Sequence, residues 1–432
     1  MKRSTTIAVG VVTAAALALA GCGGGDDAAA PADGPVTLTL AGWSLSTTPE
    51  FQTLADAYHE VDPDVTIEVQ EYDATNYDTQ MTTDLAAGTA PDLYVQKNLK
   101  NFYTYQSGAQ LADLSEVAST YDDSTAGLDF YAVDDGTYAI PYRQDAWYVY
   151  YNKDLFAQAG VPEPTGEWTW DDYAQTALDL QAGLDAAGSD AHGAYQHTWQ
   201  STVQGFALAQ TPGADLASGD YSYMEPYYER SLRLQDEGAQ VGFGTATTSS
   251  LTYQTEFGTQ QAAMMPMGSW YVATLLAQQE SGEADEFSWG IAPAPQYDDS
   301  TFDAPVTFAD PTGIGLNPAV DDAKRAAAED FLAFVGGEEA ALALAEIGIT
   351  PAYTSDAVTE AFFGLEGVPT DDLSRFTFAE SEARPENPVS VSTTVVQNIL
   401  GEAHTEIMSE SSPVDPVLEE AGSRVESEAP TS

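Results

Sequence analysis

The segment 138–160, YAIPYRQDAWYVYYNKDLFAQAG, constrains the fold more than any other part of the chain. Its apolar run up to Pro141 predicts one strand, and the aromatic and β-branched run 147–151 predicts a second. Asn152 then begins a helical pattern that ends at a glycine. A polar joint, residues 143–145, separates the two strands, as is needed where a chain leaves one sheet and enters another. We therefore expect two sheets, with a ligand site beside the joint.

The part of the chain before this joint predicts the first of the two sheets. A length of 432 residues exceeds the roughly 100–200 residues of one ordinary domain, which favours two or more lobes. Strand and helix patterns alternate in the order β-α-β-α-β over residues 36–40, 51–58, 65–69, 77–87 and 90–95. This order predicts a mostly parallel sheet flanked by helices. Ligands collect at the carboxyl ends of such strands, which here means residues 43–46 and 96–98.

The rest of the chain continues the α/β pattern. Thr169 and two acids predict the start of a helix, and the apolar run 262–270 predicts a buried strand that ends at a Gly-Ser-Trp turn. The segment 308–316 is interpreted as a second passage between sheets. The remaining predictions are a strand end and loop over 193–205, helices over 226–237, 321–335 and 338–346, a strand over 287–291, a loop at Arg384-Pro385, and a frayed tail from Glu426.

The amino terminus predicts export. Lys2 and Arg3 precede an apolar run, residues 7–20, that is too short to span a bilayer and ends at the tetrapeptide LAGC. This tetrapeptide resembles a bacterial lipobox, so we expect residues 1–21 to be a lipoprotein signal peptide and Cys22 to carry the lipid. The alternative is an ordinary signal peptide with a chance cysteine. Cys22 is the only cysteine, which excludes an intramolecular disulfide, and residues 22–35 are typical of a flexible tether.

The charge of the chain excludes two classes of partner. Thirteen basic and 68 acidic residues give a formal net charge of −55, and loss of residues 1–21 would leave −57. Such a field repels nucleic acid and anionic lipid. The acids are scattered along the sequence, which favours a role in solubility, for example in a saline or alkaline habitat. A binding protein for a cationic solute such as a polyamine remains an alternative.

The sequence contains no motif that predicts an enzyme. It has no G-x-S-x-G elbow, no P-loop, no H-E-x-x-H and no D-x-[DN]-x-[DN]-G calcium loop. His192 and His197 are spaced as a zinc pair could be, but solvated loop histidines are the more common case. Acid pairs are too frequent in this chain to argue for a glycosidase, although a secreted glycoside hydrolase remains a less favoured alternative. We expect no catalysis, no cofactor and no metal.

Aromatic residues indicate a different kind of site. Trp43, Trp147, Trp199 and Trp270 each stand beside polar residues, several of them where a strand should end. A flat apolar face ringed by hydrogen-bonding groups suits a sugar, which has an apolar patch and many hydroxyls. The alternative is that these rings belong to the core, and we accept that alternative for Trp168 and Trp170 at a helix start.

Several segments in order resemble the family 1 solute-binding proteins, the extracellular sugar-binding proteins of ABC import systems. The resemblance covers nearly all of residues 36–410, and the order of the segments is more specific than any one of them. YYNKDLF followed by AG and a Trp-Asp helix start is the strongest part. The segments are LAAGTAPDLY (85–94), AIPYRQDAWYVYYNKDLFAQAG (139–160), TGEWTWDDY (165–173), AAMMPMGSW (262–270), IAPAP (291–295), TGIGL (312–316) and IGITPA (347–352), together with the lipobox and the Trp43 turn.

The resemblance implies a two-lobed α/β fold of the type II periplasmic-binding-protein kind, each lobe a mostly parallel sheet flanked by helices. Hinge crossings would fall at 143–145, at 308–311 and within 355–384. Lobe one would comprise 36–143 plus 310–355, and lobe two 144–309 plus 356–432. The implied protein is a monomer, lipid-anchored on the outer face of the cell membrane, that encloses a carbohydrate between its lobes and delivers it to an ABC permease.

The resemblance also implies site residues. Asp145 matches an acid that accepts sugar hydroxyls, and Trp270 matches a stacking aromatic. Lys97 departs from the neutral or acidic residue usual at its position, and with Arg143 it would favour an acidic sugar. The full set of predicted ligand-binding residues is Trp43, Ser44, Gln96, Lys97, Arg143, Asp145, Trp199, Trp270, Asp310 and Arg384.

Overall fold

The computed structural model describes residues 34–46 and 49–430. The predicted signal peptide, the lipidation of Cys22, all but the last two residues of the 22–35 tether, and a threonine cap at residue 47 or 48 lie outside the described residues. Within them the strands are β1 Val36–Trp43, β2 Val65–Tyr72, β3 Leu93–Gln96, β4 Ala132–Val133, β5 Gly136–Thr137, β6 Ile140–Gln144, β7 Trp147–Asn152, β8 Met264–Gly268, β9 Trp289–Pro293, β10 Val306–Phe308, β11 Pro311–Leu316 and β12 Glu382–Arg384.

Helices fill most of the sequence between the strands. They are α1 Glu50–Val61, α2 Tyr77–Ala87, α3 Phe102–Ser107, α4 Ser115–Ala118, α5 Lys153–Ala159, α6 Trp170–Ala187, α7 Ser201–Gln210, α8 Glu225–Asp236, α9 Phe243–Thr248, α10 Tyr253–Gly258, α11 Tyr271–Ser281, α12 Asp322–Val335, α13 Glu338–Ala345, α14 Asp356–Phe363, α15 Asp372–Glu380, α16 Thr393–Met408 and α17 Val414–Glu428. Within the described ranges, none of these helices has both the length and the apolar character needed to cross a bilayer.

The first sheet has five strands in the order β2-β1-β3-β11-β6. β1 runs parallel to β2 and β3, whereas β11 runs antiparallel to both of its neighbours, β3 and β6. Because β6 is antiparallel to β11, it runs in the same direction as β1, β2 and β3, so four of the five strands share one direction and the prediction of a mostly parallel sheet is confirmed for this half of the molecule. Leu38 and Leu40 of β1 and Leu93 of β3 are fully buried, as expected for a sheet covered by helices on its faces.

The second sheet corrects the prediction that both sheets are mostly parallel. It has three strands in the order β8-β7-β9, and β7 is antiparallel to both neighbours. All three strands are buried along their whole length. A strand buried on both faces reads as a continuous apolar run in either orientation, so the sequence pattern carried no information on direction.

Each sheet lies in its own hydrophobic core. One core surrounds the first sheet and includes Phe51 of α1 and Phe331 of α12. The other surrounds the second sheet and includes Trp170 of α6 and Leu400 of α16. The predicted lobes, 36–143 plus 310–355 and 144–309 plus 356–432, remain a proposal, which the separation of these two cores supports.

One short link connects the first sheet to the second, and another connects the first sheet to the two-stranded sheet of β10 and β12. Only Asp145 and Ala146 separate β6 of the first sheet from β7 of the second. Ala309 and Asp310 join β10 to β11, and β10 in turn pairs in parallel with β12. Arg384, which we expected in a loop, is instead the last residue of β12 and pairs with Phe308. The following Pro385 has no backbone N–H to donate, so the strand ends there.

Other local predictions have mixed outcomes. Helix α2 ends at Gly88, whose φ of 68° is left-handed, and α6 begins with a capping box between Thr169 and Asp172, as the sequence predicted. The predicted strand end and loop over 193–205 is wrong in its second part, because α7 starts at Ser201. This helix is buried on nearly every side and so has no amphipathic period. The predicted frayed tail is also wrong, because α17 continues to Glu428.

Candidate functional site

The joint between the two sheets is a buried charge network centred on Arg143. Its Nη1 lies 2.5 Å from Glu50 Oε2, and its Nε lies 2.9 Å from Asp145 Oδ2. All three side chains are almost completely buried. Burial raises the pKa of Glu50, which the positive charge of Arg143 opposes. Burial alone would lower the pKa of Arg143, but the two carboxylates outweigh it and raise the pKa, so the guanidinium stays charged.

The second oxygen of Asp145 ties the joint to two distant parts of the chain. Ser269 Oγ donates to Oδ1 at 2.9 Å and Thr350 Oγ1 donates at 3.2 Å, and the two hydroxyls lie 2.8 Å apart. Ser269 follows β8 of the second sheet, whereas Thr350 follows α13 and is preceded by Ile349, which belongs to the first core. The structure thus brings Arg143 and Asp145 together, as predicted, and the hydrogen bonds of Asp145 span both halves of the molecule.

A cluster of aromatic rings, here called the aromatic platform, lies at the end of β8. It consists of Trp147, Trp199, Trp270, His197 and Tyr253. Trp270 lies 5.5 Å from Trp147 and 6.5 Å from Trp199 between ring centroids. His197 and Tyr253 contact Trp199 edge-on at 4.5 and 5.6 Å. Trp199 is 41% exposed, the largest exposed fraction among the seven tryptophans, all of which the structure describes. The platform therefore exposes the Trp199 ring, whereas Trp147 and His197 are buried.

The Gly-Ser-Trp turn explains how Trp270 reaches this position. A Cβ added at Gly268 would lie 2.0 Å from the Trp270 ring, so only glycine lets the indole fold back over the strand. Ser269 meanwhile points to Asp145. The indole donates a side-chain hydrogen bond to Tyr253, whose pKa is raised to about 12 by burial. One turn thus supplies a ring to the platform and a hydroxyl to the charge network.

The predicted residues on β1 and β3 are held by other contacts. Trp43 is 8% exposed and packs edge-on against Phe51 at 5.0 Å and Tyr77 at 4.9 Å. Lys97 Nζ lies 5.2 Å from the Trp43 ring centroid and donates to Ala74 O at 2.6 Å. Burial lowers the pKa of Lys97. Trp43 is mainly a core residue in this conformation, and its role in ligand binding stays a prediction.

Ser44 and Gln96, which adjoin Trp43 and Lys97 in the sequence, have different surroundings. Ser44 is partly exposed and has a φ of 54°, in the left-handed region where a serine is uncommon. Gln96 is 2% exposed, and neither amide atom has a hydrogen-bond partner within the described part of the chain. A Cβ added at Gly315 would lie 3.5 Å from Gln96 Nε2, so the amide lies beside β11. Ligand contact by either residue stays a prediction.

Asp310 and Arg384 also have partners within the protein. Asp310 accepts hydrogen bonds from the backbone N–H groups of Leu99, Glu386 and Asn387 at 3.0, 2.9 and 3.1 Å. It accepts a fourth from Asn387 Nδ2, and burial raises its pKa. Arg384 is exposed and donates from Nη1 to Ala209 O at 2.7 Å. Neither residue contacts the aromatic platform through a described interaction, so both remain unassigned to the site.

Sequence reasoning missed several members of the site. Glu50 looked like an ordinary acid in the first turn of α1, and Thr350 lies far from the joint along the chain. His197 was interpreted as a solvated loop residue, but it is 9% exposed and burial lowers its pKa to about 4. Ser269 belongs to the Gly-Ser-Trp turn, so the sequence could have predicted it as a site residue. The other contacts depend on long-range packing and leave no local signal.

The charge of Arg143 acts on residues on both sides of the joint. Burial lowers the pKa of Lys97 at the end of β3 and Asp78 opposes this, whereas the charge of Arg143 lowers the pKa further. It also acts on Tyr253 in the aromatic platform. The joint therefore lies between the β3 end of the first sheet and the platform of the second. This arrangement offers stacking surfaces and hydrogen-bonding groups to a ligand.

Comparison with known proteins identifies the family and the fold of the chain. Bacterial extracellular solute-binding protein is the family that matches residues 44–342. An uncharacterized lipoprotein of Streptomyces antibioticus is 24% identical over 318 residues, which is 68% of this chain and 65% of the relative's length. A sugar transporter of Rhizobium etli, solved in an open conformation, is 32% identical with a TM-score of 0.76 over 90% of this chain and 99% of that one.

A second solved structure shows the same fold at lower identity. The ABC substrate-binding protein of Listeria monocytogenes in complex with cycloalternan has a TM-score of 0.75 and 19% identity, over 91% of this chain and 98% of that one. The family match extends over more than half of the chain, and the Rhizobium protein matches nearly all of it. The chain therefore belongs to the bacterial extracellular solute-binding proteins.

Proposed function

We propose that this protein captures a carbohydrate between its two lobes and delivers it to the permease of an ABC importer, without acting on it chemically. The observation that carries the proposal is the aromatic platform beside the Arg143 network. Trp199, with 41% of its surface exposed, stands 6.5 Å from Trp270 between ring centroids. Few other ligands use an aromatic surface and a ring of hydrogen-bonding groups together as a sugar does.

The charge balance of the site favours a neutral carbohydrate. Arg143 is engaged by Glu50 and Asp145, so its guanidinium is not free to pair with a uronate. The Lys97 ammonium donates to a backbone carbonyl and lies against Trp43. Both carboxylates of the joint already pair with Arg143, so neither is free to pair with the ammonium groups of a polyamine. We therefore propose a neutral sugar rather than the acidic sugar that Arg143 and Lys97 suggested in the sequence.

Two relatives support a carbohydrate as the ligand. The Rhizobium protein is a sugar transporter, and the Listeria protein was solved with cycloalternan, a carbohydrate. In the proposed mechanism the carbohydrate contacts both lobes only when the cleft is shut, so it stabilises the closed form by its differential affinity. A dissociation constant of ~1 μM corresponds to about 8 kcal/mol, which a few stacked rings and hydrogen bonds supply.

The location of the protein is part of the same proposal. The LAGC tetrapeptide and the lipoprotein relative support a lipid anchor on Cys22, with residues 22–35 as the tether. We propose that the protein acts as a monomer on the outer face of the cell membrane, where it meets the permease. Palmitate labelling of cells expressing the chain, compared with a Cys22→Ala variant, tests the anchor.

Calorimetry tests the proposed ligand class. The folded protein is titrated with maltose, xylo-oligosaccharides, glucuronate and spermidine. We expect binding of a neutral sugar and loss of ~1–3 kcal/mol of its binding free energy in Trp270→Ala, a magnitude taken from bases stacked on aromatic rings. Tyr297→Ala is the matched control, because Tyr297 is 49% exposed and lies outside the platform. Tight spermidine binding without a sugar signal, or release of reducing sugar from an oligosaccharide, would overturn the proposal.

A further inference from the structure

Glu386, which the sequence did not single out, lies where contacts from both halves of the molecule meet. Its Oε1 accepts a hydrogen bond from the hydroxyl of Ser201, the first residue of α7. Its backbone N–H donates to Asp310 Oδ1 at 2.9 Å, and Asp310 also accepts from Leu99 N at 3.0 Å. Leu99 belongs to the first core. Glu386 therefore stands between α7 of the second half and the end of β3 in the first.

The residue that carries the exposed ring of the platform, Trp199, lies immediately before the cap of α7. Trp199 precedes Ser201 by two residues, and Thr202 Oγ1 donates to Trp199 O at 2.7 Å. Gln200 Nε2 donates to Gln397 O of α16 at 3.2 Å. The chain is thus held at three consecutive residues, Trp199 through its backbone carbonyl and Gln200 and Ser201 through their side chains. Ser201 is one of these residues. A change in the charge of Glu386 therefore acts on the segment that carries the Trp199 indole.

The charges around Glu386 act in opposite directions. Asp310, in the link between β10 and β11, repels the ionised form. Lys100, in the connection from β3 to α3, attracts it, as does the Ser201 hydroxyl at the positive end of α7. Asp78 of α2 acts on Lys100 in turn. These are the charged and titratable groups that bear on Glu386 from the elements packed against it.

We propose that Glu386 is a positioning residue: in its ionised form it fixes the first turn of α7, and with it Trp199, against Lys100 of the other half of the molecule. The side chain touches no ligand and acts through Ser201. Thr394 Oγ1 of α16 adds a neutral contact across the same boundary, donating to Lys100 O at 2.7 Å.

Titration makes this role measurable. Burial and Asp310 raise the pKa of Glu386 to about 7, so the carboxyl is protonated below neutral pH and ionised above it. Ionisation strengthens the hydrogen bond from Ser201 and the attraction to Lys100. His197, which contacts Trp199, has its pKa lowered to about 4 by burial, so its titration is separate. Above pH 7 the contact between Ser201 and Glu386 is therefore stronger than below it, although the folded chain as a whole is less stable there, because burial and repulsion by Asp310 disfavour the ionised carboxyl.

Tryptophan fluorescence of the full chain without any ligand tests the proposal. We expect the emission maximum to shift between about pH 5 and about pH 9, with a midpoint near 7. Glu386→Gln should give the low-pH spectrum at every pH, and Trp199→Phe should lose the shift. The matched control is Glu382→Gln, an exposed acid on β12, which should keep the shift. An unchanged shift in a folded Glu386→Gln variant would overturn the proposal.

A second variant covers the case in which Glu386→Gln does not fold. Ser201→Ala keeps the carboxyl and removes its contact with α7, so the shift in emission should be lost there too, and a full shift in this variant also contradicts the proposal. The weaker carbohydrate binding that we expect below pH 7 rests on the proposed function. The fluorescence test does not, so a chain that binds no carbohydrate and still shows the Glu386-dependent shift separates the two proposals.

Discussion

At the scale of single residues, Arg143 is the side chain on which the joint depends. It is one cation between two buried carboxylates, Glu50 and Asp145, and Thr312 Oγ1 lies 3.4 Å from its Nη2. Removal of one partner of a buried ion pair strongly destabilises a protein, because the other charge is left without compensation. We therefore expect Arg143 to stabilise the fold, and its contact with a ligand stays a prediction.

Substitution of Arg143 tests this view. Arg143→Met should lower the free energy of unfolding by about 3–5 kcal/mol, because Glu50 and Asp145 would be left buried and unpaired. Urea unfolding at neutral pH measures the change. Arg233→Met is the matched control: Arg233 pairs with Glu237 on the exposed face of α8, and its loss should cost at most about 0.5 kcal/mol. Equal effects of the two substitutions would contradict the assigned role.

The residue scale also shows how far sequence reasoning reaches into a site. Only one residue separates Arg143 from Asp145 in the sequence. Recognition of the polar joint therefore predicted both. Glu50 and Thr350 join them only because α1 and the segment after α13 fold back onto the joint. Nothing in the residues around Glu50 distinguishes it from the many other acids at helix starts in this chain. Such a partner becomes visible only once the packing is known.

At the scale of elements, glycines set how closely helices approach. A Cβ added at Gly183 of α6 would lie 2.3 Å from the backbone oxygen of Ala159, at the end of α5. Backbone cannot rotate out of the way as a side chain can, so the two helices would have to separate. The close packing of α5 on α6 therefore requires glycine at this position.

The Gly183→Ala variant should be destabilised by about 1–3 kcal/mol, the usual cost of overpacking a buried contact. Gly244→Ala in α9 provides the comparison, because a Cβ there meets nothing within 4 Å. The second substitution should stabilise by about 0.5–1 kcal/mol through the better helix propensity of alanine. Thermal unfolding of both variants measures the difference, and a stabilised Gly183→Ala variant would show that α5 and α6 are not in close contact.

The elements that sequence predicted well are those with a local stop or start. Gly88 ends α2, and Thr169 with Asp172 begins α6, and each signal acts through its own backbone hydrogen bonds. The elements that it missed are fixed by distant partners. β12 exists because it pairs with β10, and the direction of β7 is set by the strands on either side of it. The sequence of a short strand does not show which strands it pairs with or in which direction.

At the scale of the whole molecule, the two cores meet where the site is. The joint, the Gly-Ser-Trp turn and Thr350 converge on Asp145, and the aromatic platform is anchored in the second core through Trp147, which stacks on Phe308 at 4.8 Å. A motion that opens the cleft would therefore bend the links at 145–146 and 309–310 while leaving the platform intact. This is how hinge closure divides a protein into rigid parts and a few flexible residues.

The net charge of −55 acts on the molecule as a whole. Mutual repulsion of so many acids opposes the compact state, and salt screens it, since the Debye length falls from about 10 Å at 0.1 M to about 3 Å at 1 M. The melting temperature should therefore rise steadily with sodium chloride over this range. The buried Arg143 network is little screened, so the destabilisation by Arg143→Met should persist at about 1 M salt, whereas any small effect of Arg233→Met should vanish. A melting temperature that is flat or falls with salt would show that the acids are too widely spaced to repel one another.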